Sequence, residues 1–180
     1  MELTKTLVQE HEAIRRAVSV MAVMNSQVEL GVVVDRHDVN ALLIFFHYFA
    51  DLCHQAKEES ILFPALKQLD QANISADAAR LLMDHHEERL LIEETQLALF
   101  TDNQQQFMTT ARKLINLIYE HIAEEEKLLF PIAESALPVE TANQVVMLME
   151  EADARFGYSQ RALLISMLAE LEHKYKQKAA

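Results

Sequence analysis

One pattern occurs twice in this chain. His54, Glu58, Glu59, Leu62, Phe63 and Pro64 recur at identical offsets as His121, Glu125, Glu126, Leu129, Phe130 and Pro131. Ahead of each copy stands an acid, a histidine and, four residues on, an arginine: Glu10, His11 and Arg15, then Asp84, His85 and Arg89. Residues four apart on an α-helix stack on one face. Each His-x3-Glu therefore aims an imidazole and a carboxylate at one point, and two such helices with two further histidines can enclose a pair of metal ions. Hydrophobic packing alone has no use for that arrangement.

Composition limits the fold in the same direction. Two glycines and three prolines in 180 residues are too few for a loop-rich or many-stranded chain. Met, Leu, Ala, Glu and Gln, all good helix formers, take their place. The length suits one domain with a sizeable core. A single cysteine, Cys53, excludes an intrachain disulfide framework. The first residues carry no basic-then-apolar leader, and no stretch of apolar residues is long enough to span a bilayer. The expectation is a soluble, cytoplasmic protein with no membrane partner. The net charge of -12 disfavours nucleic acid, because little here could neutralise a row of phosphates. Bound divalent ions would offset part of that charge.

The periodicity predicts an all-α fold, an up-down-up-down antiparallel four-helix bundle with two additional C-terminal helices. The first helix is expected from Thr4 to about Glu29, with Leu7, His11, Ile14, Val18 and Met21 along one face and Gly31 at its end. The β-prone Val32–Val34 run reads as a connector. Asp35 or Asp38 caps the second helix, which continues through Leu69. The third follows Ser75 and reaches about Phe100. The fourth covers Asn103 to Glu134, with Leu114, Leu117, His121, Glu125 and Leu128 aligned. Pro64 and Pro131 should interrupt the last turns of helices two and four, and the Leu-Phe pair before each should plug the end of the bundle. Residues 1–136 form the expected metal-binding domain. Residues 137–180 form a helical extension broken at Gly157, packed on the bundle or at a subunit interface.

The candidate ligands are His11, His54, Glu58, His85 or His86, His121 and Glu125. Four imidazoles and two carboxylates suit iron, manganese or zinc, whereas a lone thiol argues against Cys-rich zinc and iron–sulfur sites. Two ions about 3.5 Å apart would each keep two histidines and share both carboxylates. Two buried carboxylates without a counter-charge would each cost several kcal/mol, so the pattern calls for a cation. Glu59 and Glu126 lie off the inward line. The repeat favours His85, while His86 sits on the more apolar stripe. His47 lies two turns, about 10 Å, ahead of His54 and is a candidate for a fifth ligand or for the wall of a channel. His37 is a weaker candidate. Tyr48 and Tyr119 read as core residues or as hydrogen-bond partners of the site, and Cys53 as a packed thiol.

At these residues the chain resembles the hemerythrin-like family, the HHE cation-binding domain. Glu10-His11, His54-x3-Glu58, Asp84-His85 and His121-x3-Glu125 carry the resemblance, which covers about residues 7 to 134. It implies a four-helix bundle holding two non-haem iron ions bridged by oxide or hydroxide, with manganese or zinc as loading-dependent substitutes, and with Glu58 and Glu125 as bridging carboxylates. Oxygen-carrying members use five histidines. Here Arg89 stands where their third helix has a second histidine, and the fifth must come from His47, His37 or His86, or be missing. The implied partner is a small diatomic ligand, O2 or NO, bound or sensed by a monomer or homodimer. The alternatives are peroxide or stress-defence oxidoreductase chemistry, and an iron-storage or metal-dependent interaction module.

Overall fold

A computed structural model describes residues 3–69 and 71–176. The first two residues, Asp70 and 177–180, which the sequence assigns to the bundle and its extension, lie outside the described residues. Helix α1 is Lys5–Glu29. Leu7, His11, Ile14, Val18 and Met21 are all buried on its inner face. Gly31 ends it at φ 73°, a left-handed conformation that costs a residue without a Cβ little. There Gly31 N–H donates to Val28 O and Val32 N–H to Gln27 O, which satisfies two carbonyls the helix would otherwise leave open.

Helix α2 spans 36–67 in four pieces: α-helical Arg36–Phe45, π-helical Phe46–Gln55 and Glu58–Leu62, and a final α-helical Phe63–Lys67. Of the two acids that could cap it, Asp35 does so, accepting from His37 N–H at 2.9 Å. Helix α3 is Ala72–Phe100. It starts before Ser75, whose N–H already donates to Gln71 O, so the expected start is corrected toward the N-terminus. Helix α4 spans 104–136, with a π-helical Glu125–Leu129 between Gln104–Glu124 and Phe130–Ala136. Asn103 caps it by accepting from Gln106 N–H at 3.1 Å.

The two prolines do not end their helices. Each comes after a π-helical stretch, and α-helix resumes to Lys67 and to Ala136. A proline ring collides with the carbonyl four residues back in a regular α-helix. The wider π turn moves that carbonyl aside. The inserted residue also rotates the next turn of the helix. Leu129 is buried and Leu128 is 54 % exposed, which reverses the alignment expected from an unbroken period.

Short connections make α1 to α4 alternate in direction, and each packs on its two neighbours in a closed ring. Helices α5 (Val139–Phe156) and α6 (Tyr158–Lys176) turn about Gly157, at φ 98°. Leu164, Leu168, Leu171 and Tyr175 of α6 are buried, and α6 packs on α1 and α2. Burying each of those leucines contributes about 2 kcal/mol. Tyr175 O–H donates to Asp38 at 2.7 Å, and Arg16 of α1 makes a paired contact with Glu172. The core has two apolar clusters. One contains Ile14, Val18, Phe46, Phe49, Leu91, Leu114 and Ile118, the other Leu7, Leu62, Phe63, Leu81, Leu129 and Phe130. Between them lies a layer of buried histidines and glutamates.

Candidate metal centre

Four helices supply that layer. His11 comes from α1, His54 and Glu58 from α2, His85 from α3, and His121 and Glu125 from α4, all buried. They form two groups, His11–His54–Glu58–Glu125 and Glu58–His85–His121–Glu125, each with ligand atoms within 4.8 Å of one another. The two glutamates belong to both groups. Glu58 sets one oxygen 3.3 Å from His54 Nε2 and the other 3.5 Å from His85 Nε2. Glu125 Oε2 lies 3.2 Å from His11 Nε2 and 3.3 Å from His121 Nε2. Each carboxylate thus reaches one histidine of each group, the disposition of a bridge.

The outer nitrogens of three histidines are tied back to carboxylates. His11 Nδ1 donates to Glu126, His54 Nδ1 to Glu10 and His85 Nδ1 to Glu59, all at 2.9 Å. Such bonds fix the tautomer and turn the Nε2 lone pair inward. Arg15 holds Glu126 at 2.6 Å, and Arg89 holds Glu59 as well as Asp51. The repeated acid-His-x3-Arg unit therefore has a use for each of its members. Its arginine steadies the second glutamate of a Glu-Glu pair, and its acid faces the histidine of the next helix. Asp84 does so for His121 at a looser 3.6 Å. The Leu-Phe pair serves the site too, with Phe130 stacked on His11 and Phe63 on His85.

All four carboxylate oxygens of Glu58 and Glu125 are buried without a hydrogen-bond partner, as is His11 Nε2. Buried polar atoms are rarely left so. Burial and the facing Glu125 push the Glu58 carboxyl well above its ordinary range. Burial opposes ionisation of Glu125 as well, but His121 and His11 outweigh it and hold that carboxyl low. Burial likewise disfavours a charged His121, yet Glu125 and Asp84 keep its imidazole well above the usual range. Burial, with His11 alongside, brings His54 down to about 4 despite Glu10. Carboxylates so placed call for a cation, and the oxygen and imidazole donors fit a pair of divalent or trivalent ions such as iron.

Three of the candidates stand elsewhere. His86 is exposed, in an outer cleft with Met83 and Leu90. His47 is exposed too, 3.6 Å from Asp51, in a cleft of about 460 Å³ with Tyr48 and Arg89. His37 is exposed beside the cap of α2. Tyr48 and Tyr119 are part-exposed rather than core, and Tyr119 O–H meets Ser19 Oγ at 3.2 Å. A third acidic group, Glu10, Cys53 and Asp153, is already neutralised by Lys57 and Arg161. Burial raises the Cys53 thiol to about 11, with Glu10 adding to it, which leaves an inert packed thiol. Two features carried no motif: the clamp of Lys57 and Arg161 on Glu10, and a buried pair formed by Glu88 and Gln55.

No curated protein and no solved structure gives a match to the chain. Residues 2–133 match the hemerythrin HHE cation-binding domain, a span that holds every residue of the two His/Glu groups. With most of its length inside that match and two buried groups that fit a di-iron site, the chain belongs to the hemerythrin HHE cation-binding domain family.

Proposed function

We propose that His11 and His54 hold one iron ion, that His85 and His121 hold the other, that Glu58 and Glu125 bridge them, and that the pair binds a diatomic ligand, O2 or NO. The observation that carries this reading is the set of four unpartnered carboxylate oxygens, sealed between apolar clusters and flanked by four inward imidazole nitrogens. Bound iron would supply redox-active positions that two histidines and two shared carboxylates leave incompletely filled. The protein supplies orientation through Glu126, Glu10 and Glu59, and it excludes water and bulky substrates through the clusters on either side.

Peroxide chemistry has less support. It needs a proton relay, and the histidines outside the ligand set, His47 and His86, are exposed, as Tyr48 and Tyr119 are in part. The test is to load the protein with ferrous iron under anaerobic conditions, confirm two ions per chain by elemental analysis, and admit O2 or NO. New absorption in the near-ultraviolet and visible is the expected result. An unchanged spectrum from fully loaded protein would overturn the reading.

A further inference from the structure

The duplication provides an internal control. Superposing the second copy of each motif on the first sets His85 on His11 and His121 on His54. It also sets Glu88 on Ile14 and Gln55 on Ile122. On one side of the bundle, formed by α1 and α4, two isoleucines therefore occupy the positions next to the histidine layer, both buried. On the other side, formed by α2 and α3, the same positions carry a carboxyl and an amide, also buried, with Gln55 Nε2 donating to Glu88 Oε2 at 2.6 Å. Packing needs nothing polar here, as the isoleucine side demonstrates.

The pair is only half satisfied. Glu88 Oε1 and Gln55 Oε1 are both buried and have no hydrogen-bond partner. Its placement is specific. Glu58 and Glu125 lie one turn beyond their histidines toward the C-terminal ends of α2 and α4. Glu88 lies about 4.5 Å along α3 from His85, and α3 runs the opposite way. Glu88 is therefore on the side of the histidine layer away from the bridging carboxylates. There it is close enough to His121 and Glu125 to feel both charges. The carboxyl is buried, and the neutral form that burial favours carries an O–H able to donate.

We infer that Glu88, braced by Gln55, is the hydrogen-bonding contact for a small anionic or diatomic ligand held on the His85–His121 side of the centre, and that the His11–His54 side, where Ile14 takes the place of Glu88, has no such contact. The inference rests on the metal-binding reading above and deepens it by assigning the ligand a side and a polar partner. A hydrogen bond to a charged ligand in a dry site is worth about a tenfold change in affinity.

Azide is a suitable probe, being linear, anionic and small. Ferric, two-iron protein is titrated with azide and followed by its charge-transfer absorption and by the infrared antisymmetric stretch of the bound ion. Glu88→Leu should weaken azide about tenfold or more with iron content unchanged. Glu88→Gln, which keeps a donor, should restore most of the affinity. The azide stretch should move in D2O for the wild type and Glu88→Gln, and stay fixed for Glu88→Leu. The double variant Glu88→Ile/Gln55→Ile repeats the pair that the α1 and α4 side already buries, so it keeps the test open should Glu88→Leu fold poorly. If the leucine or double-isoleucine variant binds azide with wild-type affinity and stretch, this inference falls while the metal centre stands. Two-iron wild-type protein that shows no azide band at all would overturn both this inference and the ligand-binding reading, with the metal content unaffected.

Discussion

Replacing Glu58 by glutamine should change stability in opposite directions depending on whether metal is bound. In the metal-free protein Glu58 is fully buried, with both oxygens unpartnered and Glu125 facing it. Its carboxyl is pushed up from an ordinary 4.5, so folding at neutral pH makes it take up a proton that the unfolded chain lacks. Burying the group in this way costs on the order of 3 kcal/mol at neutral pH. Glutamine has nearly the same shape and no charge to neutralise, so most of that cost disappears. For a chain of this size, 1 kcal/mol corresponds to about 2–4 °C in Tm, and the metal-free variant should melt about 5–10 °C above the wild type. The sign comes from the raised value. The penalty is absent below about pH 4.5, where the unfolded carboxyl is itself protonated, and the gain should vanish there.

With metal the order reverses. Each occupied site stabilises the wild type by about 2.7 kcal/mol when free metal is a hundredfold above its dissociation constant. Glu58 belongs to both groups, so its loss weakens both positions together. Circular dichroism melts of wild type and Glu58→Gln, each with chelator and with ferrous iron, give the four values required, and elemental analysis gives the stoichiometry. A variant that is less stable than the wild type by the same amount in both conditions would refute the reasoning, because Glu58 would then be a structural residue indifferent to metal.

Features of the centre are legible in the sequence where their signal is local. His85 is separable from His86 because the acid-His-x3-Arg unit repeats, and the structure buries the first and exposes the second. Glu58 and Glu125 are placed by spacing alone. The π-helical stretches are not, since no 3.6-residue pattern announces an inserted residue, and an unbroken period aligns Leu128 where the structure buries Leu129. The apolar stripe of α6 is plain, but an amphipathic face does not name its cover. Its docking on α1 and α2 depends on contacts such as Arg16 with Glu172 across the whole chain. Lys57 and Arg161 meet at Glu10 from distant positions for the same reason. Glu88 is legible through its mismatch with Ile14 in the repeat, a comparison that motif matching does not make.

Glu59→Ala should still bind two ions at saturation, but with about 10–100-fold weaker affinity in a chelator competition, since it removes the partner of His85 Nδ1 and no ligand; complete loss of one ion would place Glu59 among the ligands. Alanine at His47 or His86 should leave both content and affinity unchanged, both side chains being exposed; a lost ion in either variant would contradict the ligand set. Burial opposes ionisation of Glu10, but His54 and Lys57 hold its carboxyl down to about 2, so metal-free protein should lose about 3 kcal/mol as pH falls from 4.5 toward 2; urea unfolding that is flat across that range would refute it. The last prediction concerns inequality between the two metal positions. Glu10, which orients His54, is gripped by Lys57 at 2.5 Å and Arg161 at 2.6 Å, both brought in by buried or half-buried side chains. Its counterpart Asp84 stands 3.6 Å from His121 and is held at 3.3 Å by an exposed Arg80. A better-fixed imidazole loses less entropy on binding, so the His11–His54 position should fill first and anaerobic ferrous titration should show two steps. Arg161→Met should weaken the first step about 10–100-fold and leave the second in place. Two identical steps in the wild type, or an Arg161→Met titration that overlays it, would show that the C-terminal helices do not reach the centre through Glu10.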